Sequence, residues 1–230
     1  YPDEKLRNLC IKAIKAGFTH VKFKVGRDLQ DDIRRLKIAR EVLGNQVQLM
    51  IDANQVWEVN QAIEWVNKLQ FASPFFIEEP TSPDDVIGHK TIKNGVFPIK
   101  VATGEMCQNR IIFKQFIKED AIDIIQIDSC RMGGLNEVLA VMIMAEKYKK
   151  PVWPHAGGVG LCEYVQHISM IDYLLISCEK NSKRIEYVDH LHEHFLHPCK
   201  IMNGNYMAPF EPGFSIEMKS STLNDYLFKS

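Results

Sequence analysis

Seven short apolar, β-rich runs recur along the chain, and stretches of helical period separate them over most of its length. The runs are 19-THVKFKVG-26, 47-VQLMIDAN-54, 75-FFIEEP-80, 98-PIKVATGE-105, 122-IDIIQID-128, 151-PVWPHA-156 and 184-RIEYV-188. Strands apolar on both sides must be covered on both sides, and intervening helices make their neighbours parallel. The chain therefore reads as α/β. Seven such strands favour a β/α barrel over a doubly wound sheet, because no G-x-G-x-x-G loop follows any of them. A closed barrel of this kind has eight strands. The chain opens instead on a helix, about Glu4–Ala16. The expectation is a barrel whose first strand lies ahead of Tyr1 in a longer parent, or whose gap is filled another way.

The carboxyl ends of the runs carry the chemistry. The first has Lys22 and Lys24, and the second Asp52 and then Asn54. The third has Glu78 and Glu79, the fourth Glu105, the fifth Asp128, the sixth His155 and the short last run Glu186. Charges are costly to bury without partners, so a titratable group at every strand end is hard to explain as packing. In parallel barrels that rim is where active sites are built. Lys22 and Lys24, two apart on a strand, share a face, whereas Glu79 alternates away from Glu78.

Composition narrows the alternatives. Lys and Arg number 28 against 29 Asp and Glu, with no basic stripe interleaved with aromatics, so nucleic acid is not an expected partner. No apolar run is long enough for a membrane span. The six cysteines form no C-x-x-C pair, which reads as reduced thiols rather than a disulfide framework or zinc site. The segment 190-HLHEHFLHP-198 reads as a polar helix with His190 and His194 on one face, not as a metal cluster. The tail from Leu191 has no clear period, so the expected division is a barrel over 1–190 and a tail over 191–230.

Asp52, Glu78 and Glu105 come from three consecutive strands and offer hard oxygen donors suited to octahedral Mg²⁺, with Asn54 in support. Two candidate bases flank them. Lys24 lies on one side, with Lys22 near enough to make its deprotonation cheaper by like-charge repulsion. On the other, a carboxylate at Asp128 would fix the tautomer of His155 and free its second nitrogen for proton transfer. Mg²⁺ on a substrate carboxylate eases removal of the α proton by holding the charge of an ene-diolate. A protonated Glu186 would donate to the second carboxylate oxygen. A lysine or histidine base with Mg²⁺ is the arrangement known from the enolase superfamily.

The motifs 22-KFK-24, 51-IDANQ-55, 77-IEEP-80, 103-TGE-105, 127-IDSCRMGG-134 and 154-PHAGGVG-160, in this order, resemble the mandelate-racemase subgroup of the enolase superfamily. The resemblance runs from about Gly17 to Glu193. It implies a modified TIM barrel, with Mg²⁺ on Asp52, Glu78 and Glu105. It makes Lys24 the base that takes the α proton, Lys22 its electrostatic partner, and His155 with Asp128 the acid that protonates a departing 3-hydroxyl. Glu186 would stand by the substrate carboxylate. Finer motifs, 78-EEPTSPDD-85, 126-QIDSCR-131, 155-HAGGVGLCE-163 and 186-EYVDHLHEHF-195, resemble acid-sugar dehydratases of that subgroup. They imply conversion of L-fuconate to 2-keto-3-deoxy-L-fuconate, with another sugar acid, racemisation or an inactive truncated product as alternatives. Members of the family carry an N-terminal α+β cap that closes the rim. Nothing in the chain resembles it, and 208-APFEPGFSIEM-218 is similar to the piece that returns to the cap. The resemblance further implies a small-molecule partner, a possible homo-oligomer, and a mitochondrial or cytoplasmic location.

Overall fold

The computed structural model describes residues 1–228. Helix α1 (Asp3–Lys15) leads into β1 (His20–Lys24) through Gly17. Then α2 (Leu29–Leu43), β2 (Gln48–Asp52), α3 (Val59–Leu69), β3 (Phe76–Glu78), α4 (Val86–Val96), β4 (Lys100–Thr103), α5 (Arg110–Lys118) and β5 (Ile124–Ile125) alternate. Helices α6 (Leu135–Lys147) and α7 (Leu161–Ile171) follow, with a π-helical turn over Asp172–Ile176. A two-residue hairpin, β6 (Ile201–Met202) and β7 (Asn205–Tyr206), and α8 (Ser220–Asp225) complete the order.

Three helices start where a side chain receives their first free N–H groups. Asp28 accepts from Asp31 at α2, Asp85 from Gly88 at α4, and Asn109 from Ile111 and Ile112 at α5. The five strands β1 to β5 pair in sequence order, all parallel. Alternation then sorts the side chains. Leu49, Ile51, Ile77, Val101 and Ile125 pack outward among Leu36, Val66, Phe113 and Phe116 of the helices. Met50, Phe76, Ala102 and Ile124 point the other way and form a second cluster with Trp153. Asp52 and Glu78, in register with each other, follow Met50 and Phe76 on that inner face.

Two expected strands do not form as ladders. Residues 151–156 make one parallel bridge, Ile125 to Val152, plus single bonds from Trp153 N to Ile125 O and His155 N to Ile127 O. Pro151 and Pro154 supply no N–H to a neighbour, which limits this segment to an incomplete ladder. The 184–188 run is anchored by one backbone bond, Glu186 N to Pro154 O at 3.3 Å. Among the described residues no backbone bond joins it to β1. Side chains span that gap: Arg184 Nε donates to His20 Nδ1 at 3.3 Å, and Lys22 meets Glu186 at 2.9 Å. The barrel is thus closed in outline by residues rather than by an eighth strand.

The expected polar helix at 190–198 is also corrected. Only His192–His194 form a single 3₁₀ turn, entered through Leu191 with a left-handed φ of 62°. His190 and His194 therefore share no helix face. The remaining tail folds onto the body. Leu196 N bonds Glu217 O, Phe195 is buried, and the β6–β7 turn seats Asn203 and Gly204 against Gly17. No helix among the described residues is long and apolar enough to cross a membrane.

Candidate active site

Parallel strands bring the predicted groups to one rim. Lys22 and Lys24 share a face of β1, and both ammonium groups reach Asp52 Oδ2, at 3.3 and 2.5 Å. The two lysines thus share one carboxylate instead of facing each other across empty space. Their surroundings differ. The Lys22 side chain is 17 % exposed and also meets Glu78 Oε1 at 2.5 Å and Glu186 Oε1 at 2.9 Å. Burial alone would favour its neutral form, but Glu78, Glu186 and Asp52 outweigh it and hold the ammonium charged. The Lys24 side chain is 61 % exposed and open to a ligand at the rim.

Asp52 and Glu78 are fully buried. Burial opposes ionisation of Asp52, but Lys22, Lys24 and the Asn54 N–H bring its carboxyl below the usual range. Glu78 goes the other way. Burial, with Asp52 and Glu186 nearby, holds it above the ordinary value despite Lys22 and a 2.7 Å bond from Gln126 Nε2. Glu79 sits at a left-handed φ of 44°, which takes its side chain out of the strand alternation. It accepts from Gln55 Nε2 at 2.6 Å and Asn54 Nδ2 at 3.3 Å. Asn54 therefore supports Glu79 through its side chain and Asp52 through its N–H.

On the far side, His155 Nδ1 stands 2.8 Å from Asp128 Oδ2. Asp128 is itself fixed by the N–H groups of Cys130 and Arg131. Burial lowers the affinity of His155 for a proton, but Asp128, Glu186 and Glu105 more than restore it, so the ring is more basic than free imidazole. Its Nε2 accepts from Gly157 N at 3.2 Å and faces Glu105 Oε2 at 3.3 Å and Glu186 Oε2 at 3.7 Å. A Cβ on Gly157 would lie 2.6 Å from that nitrogen, so the close approach needs glycine. Gly160, with φ of 76°, makes the left-handed turn into α7.

Glu186 departs from expectation. Burial raises its carboxyl, but Lys22, His155 and the Ala156 N–H bring it net below the ordinary value. It is an ionised acceptor here, not a protonated donor. Gln126 is a rim residue to which the sequence reading assigned no role. It precedes Asp128 by two on one run, and that spacing places both on the same face.

Six carboxyls, those of Asp52, Glu78, Glu79, Glu105, Asp128 and Glu186, thus gather at the rim, where the ion-pair partners among the described residues are Lys22, Lys24 and His155. Glu105 Oε2 is buried and accepts no hydrogen bond, with His155 Nε2 3.3 Å away. The oxygens of Asp52, Glu78 and Glu105 do not converge within 4.8 Å of one another among the described residues, and Lys22 bridges the first two. Hard oxygen donors, excess negative charge and an orphaned carboxylate oxygen fit a divalent cation such as Mg²⁺.

The fold brings together one cluster that the cysteine spacing spoke against. Cys162, His192 and Cys199 place ligand atoms within 4.8 Å of one another, beside the buried Glu163. All six cysteines are unpaired, with Cys10, Cys107 and Cys162 buried.

Comparison with known proteins places this geometry. The family of enolase C-terminal domain-like proteins matches residues 5–222. Human mitochondrial enolase superfamily member 1 is 51 % identical over 230 residues, covering 99 % of the chain and 52 % of that protein. Its crystal structure superposes with a TM-score of 0.94 at 52 % identity, covering 96 % of the chain and 51 % of the other. L-galactonate dehydratase of Hypocrea jecorina is 54 % identical over 98 % of the chain and 51 % of its own length. L-talarate dehydratase from Polaromonas sp. JS666, solved with Mg and L-glucarate, aligns at a TM-score of 0.84 and 26 % identity, covering 97 % and 60 %. The chain spans about half the length of the curated relatives it matches.

Proposed function

The chain belongs to the enolase superfamily as one of its C-terminal barrel domains, and from that premise we propose that it carries the catalytic residues of a Mg²⁺-dependent acid-sugar dehydratase. The substrate favoured is L-fuconate, and the product 2-keto-3-deoxy-L-fuconate. The observation that carries the reading is the unequal treatment of the two β1 lysines opposite a histidine–aspartate pair. Lys22 meets three carboxylates and is 17 % exposed, while Lys24 meets Asp52 alone and is 61 % exposed at the rim.

In the proposed reaction Lys24 takes the proton α to the substrate carboxylate. Lys22 remains an ammonium that holds Glu78 and Glu186 in place. His155, with Nε2 protonated in place of the bond it accepts from Gly157 N, passes that proton to the 3-hydroxyl as the C3–O bond breaks, so the group leaves as water. Asp128 keeps Nδ1 hydrogen-bonded and the ring aimed at the rim. The enol left behind tautomerises to the 2-keto-3-deoxy acid. Asp52, Glu78 and Glu105 are the residues that would hold Mg²⁺, whose charge when bound stabilises negative charge developing on the substrate carboxylate. An ionised Glu186 suits a substrate hydroxyl better than the carboxylate assigned to it from sequence.

L-galactonate is the second substrate to test, because a dehydratase of that acid is 54 % identical to the chain. L-fuconate is the 6-deoxy form of L-galactonate, so both present the same stereochemistry at the reacting carbons. Residues 191–230 are proposed to meet an N-terminal cap, with the barrel proper over 1–190. The name of the human relative favours a mitochondrial location. The test joins the chain to the N-terminal half of that relative and offers L-fuconate, L-galactonate, D-arabinonate and galactarate with Mg²⁺. Trapping with semicarbazide should report a 2-keto-3-deoxy acid from L-fuconate first. Turnover of another acid alone would overturn the substrate, and turnover of none would overturn the dehydratase reading.

A further inference from the structure

A second cluster of ligand groups lies beyond the rim, around the first turn of α7. From its donors and spacing we propose that Cys162, Cys199 and His192 form a binding site for a thiophilic divalent cation, Zn²⁺ rather than Mg²⁺.

Donor identity comes first. Two sulfurs and an imidazole nitrogen suit zinc and poorly suit Mg²⁺, which prefers oxygen. Spacing comes next. Cys199 Sγ lies 3.8 Å from His192 Nδ1, and the three ligand atoms are within 4.8 Å of one another. Bond lengths of about 2.3 Å to sulfur and 2.0 Å to nitrogen, at tetrahedral angles, separate such ligands by about 3.5–3.8 Å. Contraction by tenths of an ångström to about 1 Å would complete the site.

The histidine is already oriented as a ligand. Its Nε2 lies 2.8 Å from the Val188 carbonyl, the kind of bond that fixes a metal-binding ring from behind. Its Nδ1 faces Glu163 Oε1 at 2.6 Å. Both ring nitrogens thus face acceptors, which requires a doubly protonated ring beside a carboxylate that is 1 % exposed. A cation at the cluster replaces the Nδ1 proton, and its charge takes over the pairing with Glu163. On binding, the two thiols and Nδ1 give up their protons to solvent and the new bonds run from two thiolates and a neutral imidazole.

The site would fasten three segments that are distant in sequence. Cys162 opens α7 just after the turn that carries His155, and its Sγ reaches the carbonyls of Ala156 and Val188 at 3.6 and 3.8 Å. The Ala156 N–H in turn holds Glu186 Oε2 at 2.7 Å. His192 and Cys199 come from the tail. Metal binding there would steady the backbone behind His155 and Glu186 without touching substrate.

The experiment uses the chain, reduced and freed of metal, and reads no turnover, so it stands apart from the dehydratase proposal. One equivalent of Co²⁺ should produce the visible bands of a tetrahedral site and a sulfur-to-cobalt charge-transfer band, and Zn²⁺ should abolish both. Excess Mg²⁺ should leave them. One equivalent of Zn²⁺ should shield two thiols from a thiol reagent. Cys199→Ser and His192→Gln should lower the Co²⁺ affinity at least 10-fold, whereas Asp52→Asn should not. Should a variant fail to fold, the thiol count on the parent chain decides. Co²⁺ bands without sulfur charge transfer, unshielded thiols, or a Cys162–Cys199 disulfide in a protein that takes up no zinc when reduced would each overturn the proposal.

Discussion

Lys22 Nζ lies 2.5 Å from Glu78 Oε1, and this contact places a fixed cation among buried carboxylates, while its strand neighbour Lys24 pairs with Asp52 alone and is 61 % exposed. The same strand thus supplies an anchoring charge and a reactive one.

Lys22→Met should therefore be the more damaging change for the fold. It leaves Glu78 and Asp52 buried with less compensation, and breaking such a pair costs about 3–5 kcal/mol. Lys24→Met removes an ammonium that is 61 % exposed and leaves Asp52 still paired with Lys22, so its cost should be the smaller. Urea unfolding of the two variants should show this order.

Asp128→Asn keeps the shape near His155 but removes the charge that orients and supports its proton. Dehydration should fall by about 100-fold or more, on the scale of a lost general acid, with the unfolding midpoint close to that of the parent. An unchanged rate would detach Asp128 from the reaction.

Gly157→Ala places a methyl 2.6 Å from His155 Nε2, so the ring or the loop must shift. The expected outcome is a drop of about 10-fold or more in turnover, with a small change in stability because Gly157 is exposed. Equal activity would mean that His155 can act from another position.

His20 predicts a pH dependence of stability away from the rim. Burial, then the Arg184 charge, depress its pKa to about 4, against 6.5 for the free residue. The unfolded chain binds the proton more tightly, so stability is full above about pH 6.5 and falls as pH drops toward about 4. At pH 5 the loss should be about 1 kcal/mol after allowance for partial exposure. Unfolding at pH 7 and pH 5 should show this loss in the parent and a smaller one in His20→Gln.

Much of the barrel was legible because apolar runs such as 47-VQLMIDAN-54 carry both a buried strand and the charge that ends it. Asp52, Glu78, Asp128 and His155 could be read as rim groups since strand ends of a parallel sheet lie on one side. The incomplete sixth and seventh strands were not legible as such, because β-propensity alone does not count the N–H groups that Pro151 and Pro154 withhold. Glu186 was placed correctly on the rim, but its ionisation depends on Lys22 and His155 across the barrel, at separations no local pattern encodes. The meeting of Cys162 with His192 and Cys199 escaped for the same reason, since the tail's return to α7 brings together ligands with no compact motif.

The central claim, that Lys24 takes the α proton and His155 completes the loss of water, is tested most directly by proton NMR in D₂O. The capped chain, Mg²⁺ and L-fuconate are followed for loss of the C2 proton signal and growth of the 2-keto-3-deoxy acid. The account predicts both in the parent, neither in Lys24→Ala, and C2 exchange without dehydration in His155→Asn. Undiminished exchange in Lys24→Ala, or full dehydration in His155→Asn, would contradict it.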